Sequence, residues 1–436
     1  MFKIIQIINE MTLSDEQQKV FNLYIGGENI FLSGPAGSGK SFLINHIQKN
    51  ANSRRKNIAI TAMTGCAAVL LENATTLHSW GGIFPNSNHT GVENPSKYNF
   101  SARKISNWKK VEVLVIDEVS MLDAILFEEM DMNAKKQRSC QLPFGGIQLI
   151  LSGDFYQLPP IEGKFCFSSP IWNVTFKPKM NQILLRQNFR QSGDQKYREI
   201  LTEIRDGNLS DLNYNLINSR HIVSDSPTGD PICIVPLKKS ANFINDSENR
   251  KIKSSIVNAY TRRNYYNGVL CNIEKADKKI IFDIVMKQRG TYEEKIELRV
   301  GSKVMCLHNL DFTLGIVNGS QGTVVSFVDG NPNVKFSSGL ERIILPVKWS
   351  IEEYPAYSVE QLPLTLAWAI TIHKSQGMTL DCAKIDIGSS IFASGQIYTA
   401  MSRIKTLEGL YLQNKIDRLK IGVNKDVLNF YKNLCI

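Results

Sequence analysis

Short runs of apolar residues, each followed by a polar or glycine-rich turn, dominate the first half of the chain. They occupy 29–32, 57–62, 111–116 and 147–151. Apolar runs of this length, separated by helical segments, are typical of buried parallel strands in a doubly wound α/β sheet. Because ligands of such sheets bind beyond the carboxyl ends of the strands, functional residues are expected directly after each run.

The second half contains further apolar runs of the same kind, separated by a region with a different pattern. Further strand candidates occupy 231–237, 364–372, 383–387 and 409–412. Between the first two, residues 298–349 alternate apolar and polar positions and contain Asn-Gly, Gly-Ser and Asp-Gly turns. This alternation predicts a small β-barrel inserted into a second α/β domain.

One stretch of the first half departs from the strand and helix pattern. Residues 84–100 are rich in Asn, Ser, Pro and Gly and contain few apolar residues. This composition predicts an inserted loop or small subdomain.

Composition and charge narrow the class of protein. A chain of 436 residues with 43% apolar and 21% charged residues is expected to form several globular domains. The net charge of +10 favours a polyanionic partner such as nucleic acid, although many soluble proteins are basic. The eight cysteines form no C-x-x-C pair, which argues against a zinc site or a disulfide framework. No apolar stretch reaches the roughly 18 residues of a membrane span, so a soluble intracellular protein without a membrane partner is expected.

The first apolar run is followed by a phosphate-binding motif. Residues 34–41 fit G-x-x-x-x-G-K-[ST] and precede a helical stretch. Glycines let backbone N–H groups approach phosphate oxygens, and the helix amino end adds positive potential. Lys40 is expected to reach the β- and γ-phosphates, and Ser41 to ligate Mg²⁺. The predicted nucleotide-binding residues here are Gly34, Pro35, Ala36, Gly37, Ser38, Gly39, Lys40 and Ser41.

Polar side chains also follow the later strands of the predicted sheet. Asp117 suits Mg²⁺ coordination, directly or through water, and Glu118 suits polarisation of the attacking water. Gln157 follows the next strand on a proline-stiffened loop, where its amide is expected to sense the γ-phosphate. Alone, each would be read as an exposed turn or a helix cap. Together with the P-loop they predict a catalytic site for nucleotide hydrolysis.

A GTPase is the rival interpretation of a P-loop. The tetrapeptide at 414–417 fits the N-K-x-D pattern that recognises guanine. It lies near the carboxyl end, outside the first predicted sheet. We therefore interpret this match as chance, and a signalling switch is disfavoured.

Two arginines are candidates for charge neutralisation during hydrolysis. Arg190 and Arg403 both lie after the first sheet, at predicted junctions of the second domain. A lone arginine is more often a surface ion-pair partner. In a P-loop protein, the pair predicts a catalytic site shared by two domains, which couples ATP state to domain separation.

Three short segments carry candidate nucleic-acid contacts. Hydroxyls and backbone N–H groups suit phosphates, and an aromatic face suits base stacking. For the histidine and the tryptophan of the second segment, core packing is an equally good interpretation. The candidates are Thr61, Thr64 and Gly65; Thr76, His78 and Trp80; and His373, Lys374 and Ser375.

Nine sequence blocks, taken in order, resemble one known family. They are GPAGSGKS, TAMTGCAA, TTLHSWGGI, VLVIDEVSMLDA, FGGIQLILSGDFYQLPP, FRQ, GIVNGSQGTVV, LAWAITIHKSQGMTLD and IYTAMSR. This series is similar to the PIF (petite integration frequency) helicases of superfamily 1, which are related to RecD-type motors. The resemblance extends over roughly residues 13 to 413.

The resemblance implies a fold and a domain order. Expected are two RecA-like P-loop domains, which are doubly wound parallel sheets, with a small wedge insertion in the first and an SH3-like β-barrel insertion in the second. The first domain is placed at 1–180, with the wedge at about 84–103. The second is placed at 181–297 and 358–436, with the barrel at 298–357.

The resemblance also implies an activity. It implies a 5′-to-3′ DNA helicase that hydrolyses ATP with Mg²⁺ and acts as a monomer on single-stranded DNA and on forked or tailed duplex DNA. Gln17 matches the adenine-reading glutamine, with Gln18 as the alternative one residue on, and Gly377 is expected to contact the nucleotide. The family's two arginine fingers fall on Arg190 and Arg403. Translocation along one strand without duplex separation remains the alternative.

Overall fold

The protein is described from a computed structural model. The described residues are 13–69, 71–82, 102–161, 163–177, 179–221, 231–253, 257–271, 279, 281–282, 294–308, 310–311, 314–316, 319–350 and 354–434, with 66 and 69 described by backbone only. Nearly all of the predicted wedge at 84–103 lies outside these residues. No helix in the described part is long and apolar enough to cross a membrane.

Helices and strands alternate through most of the chain. The helices are α1 (Asp15–Ile25), α2 (Lys40–Ser53), α3 (Gly65–Val69), α4 (Leu77–Gly81), α5 (Ala102–Lys110), α6 (Ala124–Arg138), α7 (Pro170–Thr175), α8 (Gln195–Arg205), α9 (Asp211–Asn218), α10 (Lys238–Lys251), α11 (Ile372–Ser375), α12 (Gln396–Met401) and α13 (Lys425–Leu434). The strands are β1 (Ile30–Ser33), β2 (Ile58–Ala62), β3 (Thr75–Thr76), β4 (Val113–Asp117), β5 (Gln148–Gly153), β6 (Gln182–Leu184), β7 (Ile232–Val235), β8 (Val257–Thr261), β9 (Arg263–Tyr266), β10 (Val269–Leu270), β11 (Lys295–Arg299), β12 (Lys303–Cys306), β13 (Gln321–Val328), β14 (Asn331–Phe336), β15 (Glu341–Ile343), β16 (Val347–Ser350), β17 (Tyr357–Gln361), β18 (Leu364–Leu366), β19 (Ala369–Thr371), β20 (Ala383–Ile385) and β21 (Leu410–Leu412).

The first sheet is parallel and has the order β3-β2-β4-β5-β1-β6. Its four long strands are β1, β2, β4 and β5. They confirm the prediction that the four apolar runs of the first half form parallel strands. Side chains alternate between two cores: Phe31 joins Trp108 and Phe127 on one face, whereas Ile30 packs with Ile44 on the other. Both faces of the sheet are therefore covered by helices, as a doubly wound sheet requires.

The edge strand β6 extends the first sheet past the predicted end of the first domain. It pairs in parallel with β1, with Phe31 opposite Gln182. The first sheet thus extends beyond residue 180, where the sequence placed the end of the first domain. The residues of β6, Gln182–Leu184, begin with a polar side chain and were not among the predicted apolar runs.

The second parallel sheet has the order β19-β7-β20-β21. Three of its predicted strands are confirmed. The apolar run at 364–372, however, divides into two strands: β18 pairs antiparallel with β12, and β19 pairs parallel with β7. The prediction of one continuous strand is wrong, because adjacent residues of this run join two different sheets.

Antiparallel strands occupy the region between α10 and β19. They form a five-stranded sheet, β15-β14-β13-β12-β18, and two smaller sheets, β10-β9-β17-β16 and β11-β8. The hairpin between β13 and β14 turns at Asp329 and Gly330, which have φ values of 49° and 76°. Positive φ at both positions suits the predicted Asp-Gly turn. The antiparallel region is longer than the predicted 298–357.

The last helix, α13, returns to the first domain. Phe430 stacks on Phe167 with ring centroids 4.4 Å apart, and its ring lies 5.7 Å from that of Trp172. Val427 and Tyr431 belong to the same core as β1. Placing the whole of 358–436 in the second domain was therefore wrong, because the apolar face of α13 packs on the first.

Candidate nucleotide and nucleic-acid site

The P-loop joins β1 to α2 with little room for side chains. Gly37 and Gly39 have φ values of 86° and 83°. A Cβ on Gly37 would lie 2.5 Å from Cβ of Arg190, and one on Gly39 would lie 2.6 Å from Nε2 of Gln17. Glycine is thus required at both positions by the backbone conformation and by its close neighbours.

Lys40 lies across the mouth of this loop. Its Nζ donates to the carbonyl oxygens of Gly34 at 2.6 Å and Pro35 at 3.0 Å. Burial lowers the pKa of the ammonium, and nearby carboxylates, including those of Asp154 and Glu118, oppose that shift. The amine is therefore positioned where the loop would enclose a phosphate.

Two buried carboxylates lie at the carboxyl end of β4. Burial raises the pKa of Asp117, and it also raises the pKa of Glu118, where the neighbouring Asp117 adds to the effect. Glu118 adopts a left-handed conformation with φ 55°, which is uncommon for a residue with a side chain. A carboxylate with a raised pKa suits a general base that works near neutral pH.

The residues present fit a Mg²⁺ ion that a nucleotide helps to hold. Ser41 is exposed at the start of α2, and Asp117 lies near the same loop. Within the described part of the chain, no group of three or more His, Cys, Asp or Glu side chains is arranged to hold a metal. One hydroxyl and one carboxylate suit Mg²⁺, which usually keeps several waters and binds substrate phosphates.

Arg403 extends from the second domain into this region. Its side chain is only 1% exposed, and Nη2 lies 3.5 Å from Oε1 of Gln157. Its Nε donates to the carbonyl oxygen of Thr399 at 2.9 Å. Burial lowers the pKa of Arg403, and Glu118 is the largest influence opposing this. Arg403 of the second domain therefore lies next to Gln157 of the first and within the electrostatic influence of Glu118.

Arg190 lies against Gly37 of the P-loop. Phe189 donates its backbone N–H to the carbonyl oxygen of Gly37 at 2.8 Å, and Arg190 Nη1 donates to that of Ser402 at 2.9 Å. Burial, together with the positive charge of Arg403, lowers the pKa of Arg190 to about 9. Both arginines thus lie at the boundary of the two domains, beside the P-loop.

Sequence analysis missed Gln376. Its Nε2 donates to Oε2 of Glu118 at 2.9 Å, and both residues are buried. Gly377, a predicted nucleotide contact, follows directly with φ 81°. Gln376 was overlooked because the polar residues of its segment were assigned to DNA. No local signal identifies it, because its partner Glu118 belongs to the other domain.

Gln17 rather than Gln18 lies beside the P-loop. Gln17 is buried and its Nε2 is 3.4 Å from the carbonyl oxygen of Gly39. Its Oε1 accepts from the backbone N–H of Ser14 as part of a capping box. Gln18 is exposed and donates to Asn22. The geometry therefore favours Gln17 as the adenine-reading candidate.

Most nucleic-acid candidates are at least partly exposed. These are Thr64, Gly65, Thr76, His78, Trp80, His373 and Lys374. The hydroxyls of Thr64 and Thr76 accept the backbone N–H groups of Ala67 and Ser79, and their own protons stay free to donate to a phosphate. Trp80 packs against Trp108 with centroids 4.8 Å apart, so core packing accounts for part of its surface.

Two candidates are wrong as side-chain contacts to DNA. Thr61 is fully buried in β2, and its hydroxyl donates to the carbonyl oxygen of Val115 at 2.7 Å. Ser375 is fully buried in α11, and its hydroxyl donates to the backbone carbonyl oxygen of Ile372 at 2.7 Å. Both hydroxyls satisfy the backbone instead of facing solvent.

Comparison with known proteins adds independent findings. The family profile of the PIF1-like helicases matches residues 12–215, and that of the DNA helicase Pif1 2B domain matches residues 284–327. The ATP-dependent DNA helicase PIF1 of Danio rerio is 35% identical over 97% of this chain, which spans 64% of that relative. The ATP-dependent DNA helicase Pif1 of Bdellovibrio bacteriovorus is 34% identical over 98% of this chain and 93% of its own.

Solved structures agree with these relatives. The Pif1 helicase of Candida albicans superposes with a TM-score of 0.84 at 32% identity, covering 97% of this chain and all of the other. The Bacteroides Pif1 helicase in complex with ADP-AlF3 and ssDNA gives a TM-score of 0.74 at 29% identity, with 97% of each chain covered. The chain has two RecA-like domains with a shared site, and it covers nearly the whole length of a bacterial relative. This chain therefore belongs to the PIF1-like helicase family.

Proposed function

We propose that this chain is an ATP-dependent DNA helicase that translocates 5′-to-3′ on single-stranded DNA, as a monomer, and separates forked or tailed duplex. Hydrolysis of Mg-ATP would take place in the cleft between the two RecA-like domains. The observation that carries the proposal is the position of Arg403, a residue of the second domain, beside Gln157 and Glu118 of the first. All the residues of such a site are in place only when the two domains are in contact.

Each protein residue of the proposed nucleotide site has a role that its contacts support. Lys40 and the P-loop N–H groups would hold the β- and γ-phosphates. Glu118 would accept the proton of the attacking water, and Gln157 would orient that water or sense the γ-phosphate. Arg190 and Arg403 would neutralise charge on the transferring phosphoryl group.

Mg²⁺ belongs to this proposal as the cation that would supply positive charge beside the phosphates. Ser41 and Asp117 would hold it. Asp117 is buried with a raised pKa, so a nearby cation would stabilise its ionised form.

The proposed DNA path follows the carboxyl ends of both sheets. The partly exposed candidates of 64–65 and 76–80 follow strands of the first sheet, and those of 373–374 follow β19 of the second. The net charge of +10 suits a polyanion. The structure of the Bacteroides helicase is a complex with ADP-AlF3 and ssDNA, which supports the same pair of ligands here.

Strand displacement on tailed duplexes tests the proposal. Duplexes with a 5′ tail or a 3′ tail, otherwise identical, are incubated with the protein, ATP and Mg²⁺. Release only from the 5′-tailed duplex is the expected result. Release only from the 3′-tailed duplex contradicts the polarity, and DNA-stimulated hydrolysis without release would instead favour translocation along one strand.

Lys40→Ala provides the control for this assay. The variant is expected to lose ATP hydrolysis and strand release, because the charge facing the β- and γ-phosphates is gone, while it still binds single-stranded DNA. Unchanged hydrolysis would reject this P-loop as the working site.

A further inference from the structure

A buried ion pair lies directly beneath the P-loop. Asp154, which follows β5 of the first sheet, is 0% exposed. Arg205, at the end of α8, donates to both of its carboxylate oxygens, with Nη2–Oδ1 and Nε–Oδ2 distances of 2.9 and 3.1 Å. A buried carboxylate with a bidentate arginine partner holds a fixed orientation.

Tyr398 connects this carboxylate to the P-loop. Its hydroxyl donates to Oδ2 of Asp154 at 3.3 Å and accepts the backbone N–H of Ala36 at 3.1 Å. The carboxylate of Asp154, which also accepts from Arg205, accepts the hydrogen bond from the hydroxyl. A lone pair of the hydroxyl is thereby directed at Ala36. Burial raises the pKa of Tyr398, and the charge of Asp154 adds to this, so the hydroxyl keeps its proton.

The helix that carries Tyr398 is seated firmly on the first domain. Gly395, which caps α12, leaves no space for a side chain: a Cβ there would lie 2.3 Å from the carbonyl oxygen of Gln157. The same segment, 395–403, ends at Arg403. One short stretch of the second domain therefore contacts the P-loop, the loop of Gln157 and the buried carboxylate of Asp154.

We propose that Tyr398 is a positioning residue of the nucleotide site, which holds the P-loop in its binding conformation through the Ala36 N–H and does so from the second domain. The inference rests on the proposed function, because it assumes that this P-loop binds nucleotide. It extends that function by making the order of the P-loop depend on closure of the two domains. Opening of the cleft would remove the acceptor of Ala36 and loosen the loop.

Tyr431 offers a matched comparison within the same cluster. Its hydroxyl lies 3.4 Å from Oδ1 of Asp154 and 2.6 Å from Oγ of Ser33, and it accepts the N–H of Phe155 at 3.1 Å. Like Tyr398, it is buried, and burial raises its pKa. Its hydrogen bonds reach Ser33 by the side chain and leave the backbone of 34–41 to other partners. A purely structural role predicts similar behaviour for both tyrosines.

The test compares Tyr398→Phe with Tyr431→Phe in the full chain. Amide hydrogen exchange is measured for the peptide that contains residues 34–41, without nucleotide, and ADP affinity is measured by calorimetry with Mg²⁺. Tyr398→Phe is expected to speed exchange at the P-loop and to weaken ADP binding by about tenfold, which corresponds to one hydrogen bond. Tyr431→Phe is expected to leave both within about twofold, although each variant lowers the thermal midpoint.

Exchange across β5 serves as the measure of folding in both variants. With β5 still protected, equal P-loop exchange and equal ADP affinity in the two variants would overturn the inference. Tighter ADP binding by Tyr398→Phe would also overturn it, because Tyr398 would then compete with phosphate for the Ala36 N–H. A wild-type chain that binds ADP but separates no strands would refute the helicase and leave this comparison decisive.

Discussion

Gln376 of the second domain donates a 2.9 Å hydrogen bond to Glu118 of the first. The two residues are 258 positions apart, and both side chains are buried. Gln376 immediately follows α11, which carries the proposed DNA contacts His373 and Lys374. The proposed general base is therefore held by the same segment that would sense the DNA strand.

Substitution of Gln376 is expected to change the pH dependence of hydrolysis. Burial raises the pKa of Glu118, and the hydrogen bond from Gln376 opposes that shift by stabilising the ionised form. Gln376→Ala removes this bond and raises the pKa further. Because the base acts only when ionised, activity should be lost at a higher pH as the solution is acidified. The DNA-stimulated hydrolysis rate is measured against pH.

A carboxylate at the same position gives a stronger version of this test. Gln376→Glu places like charges beside each other and should move the acidic limb to a still higher pH than Gln376→Ala does. Gln413→Ala, at an exposed position, is the control and should keep the wild-type profile. Identical acidic limbs in all four proteins would remove Gln376 from the catalytic site.

Arg403→Ala is expected to lower the hydrolysis rate by about 10²–10³-fold with little effect on ADP affinity, because a finger acts mainly on the transition state. Arg403→Lys should recover part of the rate, since it keeps the charge but not the planar fork. The rates are measured at saturating ATP and DNA. Arg418→Ala, at an exposed surface position, is the control. A loss of ADP affinity that accounts for the whole defect would assign Arg403 to binding instead.

Much of the fold was readable from local patterns. The long strands of the first sheet were predictable because each is a short apolar run. The P-loop was predictable because its backbone conformation and close neighbours require glycine at fixed positions. The antiparallel region was predictable from turns such as Asp329-Gly330. In contrast, β6 and the division between β18 and β19 depend on which strand pairs with which. Pairing is a tertiary property that periodicity does not contain.

Part of the site was predictable because residue type and position after a strand coincided. Asp117, Glu118 and Gln157 meet that condition. Thr61, in contrast, lies within β2, and its side chain is buried because successive residues of a strand alternate between faces. Gln376 gave no such signal, since its partner Glu118 belongs to the other domain. Contacts across a domain boundary follow from the packing of the two domains.

Phe430→Ala should destabilise the first domain, although Phe430 lies near the carboxyl end of the chain. Its ring contacts Phe167, Phe155 and Trp172. Loss of an aromatic ring from such a cluster costs about 2–4 kcal/mol, somewhat less than for a fully buried position. The midpoint of chemical unfolding is measured. Phe243→Ala, at a position 74% exposed, should change it little. Equal midpoints for the two variants would mean that α13 does not contribute to the first domain's stability.

Gly395→Ala tests the seating of α12 on the loop of Gln157. Gly395 has φ 80°, and an added Cβ would lie 2.3 Å from one carbonyl oxygen and 2.5 Å from another, those of Gln157 and Tyr156. Neither backbone oxygen can move without displacing the loop. The variant should therefore lose at least about 2 kcal/mol of stability and also hydrolyse ATP more slowly, because α12 leads into Arg403.

Gly422→Ala is the matched control for this substitution. Gly422 has open space around it and no left-handed φ, so a methyl group there should be tolerated within about 0.5 kcal/mol. Thermal unfolding and the DNA-stimulated hydrolysis rate are measured for both variants. If Gly395→Ala is destabilised but hydrolyses ATP at the wild-type rate below its unfolding temperature, then α12 stabilises the domain contact without setting the position of Arg403. If both variants match the wild type in stability, the close approach of Gly395 to the loop of Gln157 is not maintained in solution.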